Sequence, residues 1–479
     1  MSKETPHVLS RPVAWVGLLL AALLSACAAT EPHPHTLALD AKLQVFKEEA
    51  PTPDTASRPA ASVPDRWWAV FSDPLLDQLV EQADRGNTGI QSAASRLDQA
   101  RALAGQAGAA RQPQLGMGAG VVRQQGPLLN AAGEEGSLFT TAVTLSYEVD
   151  VMGRLAQAGD AAALDAQERQ ALLRGARLLT QTQVVQTYLA LRALDADLAL
   201  LRQSLALQRQ SLRIQAHQLQ SGTLSELDYE GLQGVATAQT LETQILQQRR
   251  AELENALAVL LGRSASEFHL DSPEDGSGAD TGRPLPMVRA GLPASVLQRR
   301  PDVAAAQKAV LAAQKRLGVT QAAWFPNLSL TATSGFASAE LSTLLGASMQ
   351  TWAFGALTSL PLLDGGRRQA GVAAADAQLG VAMASYHQTV LQALREVEDQ
   401  LSAQRLLAEQ NDAQERVLGS ATRASELSAA RLRLGSISQL EGLATRRKEL
   451  QCRRQLMQLR AARFQTTVAL VRALGGGWD

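Results

Sequence analysis

The sequence predicts a mainly α-helical chain that carries a small amount of membrane-type β-structure and is built as two copies of one unit. Three observations carry this. The 479 residues are 46% hydrophobic but only 4% aromatic, a balance that suits long Ala-, Leu- and Gln-rich packed helices rather than a large aromatic core. Landmarks recur at one offset: Pro113 and Pro326, Gly153 and Gly366, Gly222 and Gly435, and Leu261 and Leu474 each stand 213 positions apart. Each copy also holds two short runs that alternate apolar with small or polar residues, the period of a strand.

Residues 1–26 read as a signal peptide. Lys3 and Arg11 flank the start of a 14-residue apolar run, Val13–Ala26, shorter than the about 20 residues a membrane-spanning helix needs. The run ends in Leu24-Ser25-Ala26-Cys27, small residues before a cysteine, the pattern at which bacterial lipoproteins are cut and acylated. Cys27 is therefore the expected lipidation site, and Ala28 rather than Asp after it points to outer-membrane delivery. Cys452 is then left alone, so no disulfide is expected. Residues 27–64, with Pro32, Pro34, Pro51, Pro53, Pro59 and Pro64, show neither helical nor strand period and read as a tether. Folding begins at Asp65-Arg66-Trp67-Trp68.

The first repeat spans residues 65–270, a Gly/Asp-rich joint 271–283, and the second repeat 284–479. Each repeat opens with a helical stretch, Leu75–Arg111 or Ser295–Ala323, ended by a proline that cannot continue it. Strands follow at about 115–125 and 138–149, and at about 328–336 and 350–362. A long helix comes next. From Ala176 to Ser221 there is no Gly or Pro over 46 residues, roughly 70 Å at about 1.5 Å each. Leu191, Leu194, Leu198, Leu201, Leu205, Leu212 and Leu219 lie on a heptad seam, interrupted by Gln208 and Gln215, which implies supercoiled helices. Gly222 and Gly435 mark the tips of two helical hairpins. Ser225 with Asp228, and Ser438 with Glu441, read as capping boxes that open the return helices.

Within the strands, Phe139, Val143, Trp352 and Phe354 fall on the apolar alternation and are expected to face lipid, with Thr144 and Ser359 on the opposite, lumenal side. The pattern suits a membrane barrel and equally a half-buried soluble hairpin. Four strands cannot close a barrel, and open edges are not tolerated in lipid. A membrane location therefore requires several chains, a dimer of eight strands or a trimer of twelve.

Other classes find little support. A formal net charge of −1 gives no electrostatic basis for binding nucleic acid. The six histidines show no metal-ligand spacing, and no cofactor motif is present. No Ser/His/Asp order or phosphate loop suggests an enzyme. Glu396, Glu398 and Asp399, in "REVED", read as a solvated helix face.

From Trp67 to Trp478 the stretches "WWAVFSDPLLDQLV", "YEVDVMGR", "LPASVLQRRPDVAAAQ", "AAWFPNLSLT", "LPLLDGGRRQA", "ALREVEDQL", "RLRLGSISQLEGL" and "ALGGGW" together resemble the TolC-like outer-membrane efflux factors, in their lipoprotein branch. The resemblance implies a homotrimer with a twelve-stranded β-barrel and a periplasmic α-helical tunnel, lipid-anchored at Cys27 in the outer membrane. It implies a passive exit duct. An inner-membrane pump of the resistance-nodulation-division type, acting through a periplasmic adaptor, would drive drugs or other small molecules through it. Gly222-Thr223-Leu224 and Gly435-Ser436-Ile437 would face the adaptor. Members often carry acids six and nine positions after the second tip glycine; Glu441 fits, whereas Ala444 does not. Asp228, with Glu226 and Glu230 beside it, holds the matching place in the first repeat. These acids are the gate candidates. The alternatives are a type I protein-secretion duct and a non-channel structural lipoprotein.

Overall fold

The structure, a computed structural model, describes residues 46–47, 66–125, 135–272 and 293–476. The signal peptide, Cys27, nearly all of the tether and most of the joint lie outside the described residues. All described residues belong to the unit Val45–Asp479. The first repeat contains α1 (Pro74–Gly86), α2 (Thr88–Ala109), β1 (Gln114–Gln125), β2 (Glu135–Val149), α3 (Arg154–Gln220) and α4 (Glu226–Leu260). The second contains α5 (Pro293–Arg299), α6 (Pro301–Ala322), β3 (Asn327–Ser338), β4 (Gln350–Ser359), α7 (Arg367–Arg433) and α8 (Gln439–Ala473). The pairs α2 and α6, β1 and β3, α3 and α7, and α4 and α8 keep the offset of the sequence landmarks at both ends.

The opening stretch of each repeat is two helices rather than one. Asn87 breaks the first: its Oδ1 accepts from the Gly89 and Ile90 amides at 2.9 and 3.1 Å, capping α2. Its Nδ2 donates to the Leu260 carbonyl at 2.8 Å, satisfying an orphan acceptor at the end of α4. Arg300 holds the equivalent place in the second repeat, before Pro301 at the first turn of α6, and its Nη1 donates to the Ala473 carbonyl at the end of α8 at 2.9 Å. In both repeats the break places a side chain that closes the returning helix.

The long helices each run 67 residues, roughly 100 Å at about 1.5 Å per residue. The first begins at Arg154, well before Ala176, and passes through Gly159 and Gly175. A glycine in a helix interior costs about 1 kcal/mol but does not end the helix; Gly175 lies against Pro301 of α6, whereas Gly159 faces open space. α3 lies against α2 and α6 in its first part and against α4 and α8 in its second; α7 lies against α6 and α8. Gly318 of α6 makes the first contact close: a Cβ there would sit 1.6 Å from Gln157 Oε1 of α3. Lys315 pairs with Asp160 at 3.0 Å, and Arg316 pairs with Asp165.

The core gathers Val184, Val185, Tyr188 and Leu191 of α3, Leu76 and Val80 of α1, Leu257 of α4, and Val468 and Val471 of α8 beneath Trp67 and Trp68. Leu198, Leu201 and Leu205 continue the buried seam. Gln208, 1% exposed within it, donates to the Leu232 carbonyl of α4 at 3.4 Å.

The solvated reading of "REVED" holds for Asp399, which pairs with Arg395 on the surface. It fails for its neighbours. Glu396 accepts from Arg300 Nη2 at 2.9 Å, and Glu398 Oε1 accepts from the Lys47 amide at 2.6 Å. Both are half-buried, each bonded to a packed neighbour while still partly in contact with water.

Candidate functional site

Two regions hold the candidate residues: the sheet and the hairpin tips. The strands form one antiparallel sheet in the order β1-β2-β3-β4. The β2–β3 ladder thus joins the two repeats, and β1 and β4 are free edges. β2 starts three residues before position 138, and β4 stops at Ser359 rather than 362, because Pro361 has no amide to continue the ladder.

The register sorts the side chains into two faces. Met117, Val143, Ser334 and Trp352 form one cross-strand row, and Leu115, Leu145, Ala332 and Phe354 another. Phe139 sits opposite Val121 and Ser338 on the same face. All four proposed lipid-facing residues therefore share one face. The other face carries the row Gly116, Thr144, Thr333 and Ala353, with Ser359 opposite Asn327. The apolar face is bare: Met117 is 82% exposed, Trp352 71% and Phe354 79%. Among the described residues no helix is long and apolar enough to cross a membrane.

At the tips, the chain turns through left-handed glycines, Gly222 at φ +74° and Gly435 at φ +70°. The Thr223 and Ser436 amides each donate at 2.9 Å back to a carbonyl near the end of the preceding helix, Gln218 or Arg431. The hydroxyls of the same residues donate to the same carbonyls at 3.0 Å. This hydroxyl bond escaped the sequence reading; its signal is the Ser or Thr directly after each tip glycine. Leu227 and Leu434 are more than four-fifths exposed beside the turns. Leu224 is partly covered, and Ile437 likewise.

The acids divide by side-chain length. Glu441 completes a capping box, accepting from the Ser438 amide at 2.8 Å while the Ser438 hydroxyl accepts from the Glu441 amide at 3.2 Å. Asp228, one methylene shorter, accepts from the Ser225 hydroxyl at 2.6 Å instead. Glu226 and Glu230 are exposed on the first turns of α4. All four acids stand at helix N-termini, where negative charge is favoured.

An apolar-faced sheet with free edges, standing on paired long helical hairpins, defines a channel-type outer-membrane protein. Residues 79–263 and 292–476 each match the model of the outer membrane efflux protein family, and the chain belongs to that family. The two matches are separated by the repeat offset at both their starts and their ends, so the internal repeat and the family unit coincide. The outer membrane protein OprJ of Pseudomonas aeruginosa is 31% identical over 449 residues, covering 89% of this chain and 92% of OprJ. The cation efflux system protein CusC of Escherichia coli is 30% identical over 415 residues, covering 86% and 88%. The crystal structure of the outer membrane protein VceC of Vibrio cholerae superposes with a TM-score of 0.76 at 25% identity, covering 87% of this chain and all of that one. The resemblance to TolC-like efflux factors is thereby borne out. The protein is an outer-membrane efflux channel, of a channel family rather than an enzyme family.

Proposed function

We propose that three copies of the chain close a twelve-stranded barrel and a helical tunnel, forming the passive exit duct of a tripartite efflux system. The carrying observation is the four-stranded sheet with two free edges and a bare apolar face. In lipid such edges must be paired, and copies of the same chain supply them. A periplasmic adaptor meets the tips at Gly222-Thr223-Leu224 and Gly435-Ser436-Ile437. An inner-membrane pump supplies the energy. The cargo is drugs or other small molecules; CusC, a relative named for cation efflux, supports small solutes over the protein-secretion alternative. Diacylation at Cys27 adds a lipid anchor. Three Glu441 carboxylates form a ring at the periplasmic entrance, which favours cations and is blocked by multivalent ones. Reconstitution in a planar bilayer tests the duct. Discrete, cation-selective conductance is expected. Absence of any conductance from intact trimers would instead support the non-channel structural lipoprotein.

A further inference from the structure

The internal repeat turns a contact inside the chain into a map of one outside it. Inside, α3 and α8 are pinned by Arg454. Its Nε donates to Asp197 Oδ1 at 2.5 Å, and its Nη2 to Asp197 Oδ2 at 3.1 Å and to Glu242 Oε1 of α4 at 2.9 Å. Gln458 adds a bond to Asp197 Oδ2 at 3.2 Å. Exchanging the two repeats turns α3 into α7 and α8 into α4. Yet within the chain α4 packs on α3, and α7 on α6 and α8. Each therefore presents outward the face that its counterpart uses for the seam.

Those outward faces are apolar where the internal seam is ionic. Arg454 and Gln458 correspond to Leu241 and Ile245 of α4, both 56% exposed. Asp197 corresponds to Gln410 of α7, flanked one turn before by Leu406 and two turns after by Val417, 45% and 48% exposed. Leu241 and Ile245 are four residues apart and share one side of their helix; Leu406, Gln410 and Val417 step by four and seven and share one side of theirs.

We propose that the α4 face carrying Leu241 and Ile245 is the docking surface for α7 of a second copy, seated against Leu406, Gln410 and Val417. This rests on the oligomeric duct above and adds where, and by what chemistry, the copies meet along the tunnel. The internal seam holds a desolvated guanidinium–carboxylate pair that cannot be parted without leaving charge unmatched. At the equivalent positions the seam between copies has no such pair, because Leu241, Ile245 and Gln410 stand there. Its apolar side chains can slide, so the hairpins separate between chains before they separate within one.

Two experiments on the full-length protein in outer membranes decide it. With Cys452→Ser as background, Leu241→Cys and Gln410→Cys in one chain are treated with a short bis-maleimide. A covalent ladder ending at the trimer is expected, given by neither single variant and not by Leu241→Cys with Glu426→Cys, farther toward the tip. Separately, Leu241→Arg should lower the heat-dissociation midpoint of the trimer. Adding Gln410→Asp should restore it by recreating across copies the Arg454–Asp197 pair. Intact trimers without the specific ladder, or with Leu241→Arg harmless, would overturn this surface alone. Chains that stay monomeric in both experiments would overturn the oligomeric reading with it.

Discussion

Burial alone would push the Asp302 carboxyl upward, yet the Arg300 guanidinium, bonded to it at 3.1 and 2.7 Å, holds it below the usual carboxylate range. A carboxyl depressed in the folded state contributes stability that is present above its unfolded value, about 3.9, and is lost as pH falls through the folded value. The melting temperature should therefore drop on acidification below about pH 4, and Asp302→Asn should flatten that part of the curve. Arg300 also holds Glu396 and the Ala473 carbonyl. Its removal strands three acceptors, so Arg300→Ala should cost about 2–4 kcal/mol in thermal unfolding. Glu441 poses a different question, because its cap is visible and its gate role is a proposal. Glutamine can keep the capping bond. Glu441→Gln should thus leave stability within about 0.5 kcal/mol while reducing cation selectivity and weakening block by divalent ions from the periplasmic side. Ala444→Asp should strengthen that block. Single-channel recording beside a melting curve separates cap from gate, and anion selectivity in the unmutated channel would leave only the cap.

The two faces of the sheet predict opposite tolerances. Arginine at Val143 or Phe354 should cost about 2–4 kcal/mol near the bilayer midplane, whereas arginine at Thr144 or Ser359 should cost far less. The temperature at which trimers dissociate on a gel reads this directly, and equal responses would refute the face assignment. At the tips, Thr223→Glu with Ser436→Glu should abolish drug resistance while trimers persist. Thr223→Val with Ser436→Ala, which lose only the hydroxyl bonds to Gln218 and Arg431, should retain it. Unchanged adaptor crosslinking in the acidic pair would count against docking there. These faces and tips were legible in the sequence because both are local: period-2 alternation fixes which residues share a side, and a glycine followed by a capping serine fixes a hairpin end. The neighbours were not. Alternation does not say that β2 lies beside β3, nor does a helical carboxylate reveal that Arg300, 96 residues away, packs on Glu396. Gly159 and Gly175 likewise lie inside α3 without ending it. Their small cost is outweighed by packing that only the fold supplies.

For the whole molecule, the proposed lipid anchor at Cys27 and the proposed barrel would be two independent holds on the membrane. A single acyl chain binds marginally and two bind stably, but a barrel closed by three copies, as proposed, would be retained by its strands regardless. Cys27→Ser with export preserved should therefore lower the yield of assembled trimers and leave those that form in the outer membrane. Mass spectrometry of the mature N-terminus identifies the acyl groups, and an unmodified residue would remove this role. The equal lengths of α3 and α7, 67 residues, and of α4 and α8, 35 residues, set a gauge for heredity. One residue added to a single helix shifts its tip by about 1.5 Å and rotates everything beyond it by about 100°. In the proposed tunnel, where the tips form one rim, they can then change height only when both arms of both hairpins change together, by whole heptads of about 10.5 Å. Length variants among descendants of this gene should accordingly come in matched fourfold sets, and a lone insertion should leave a barrel that assembles but no longer meets its partner.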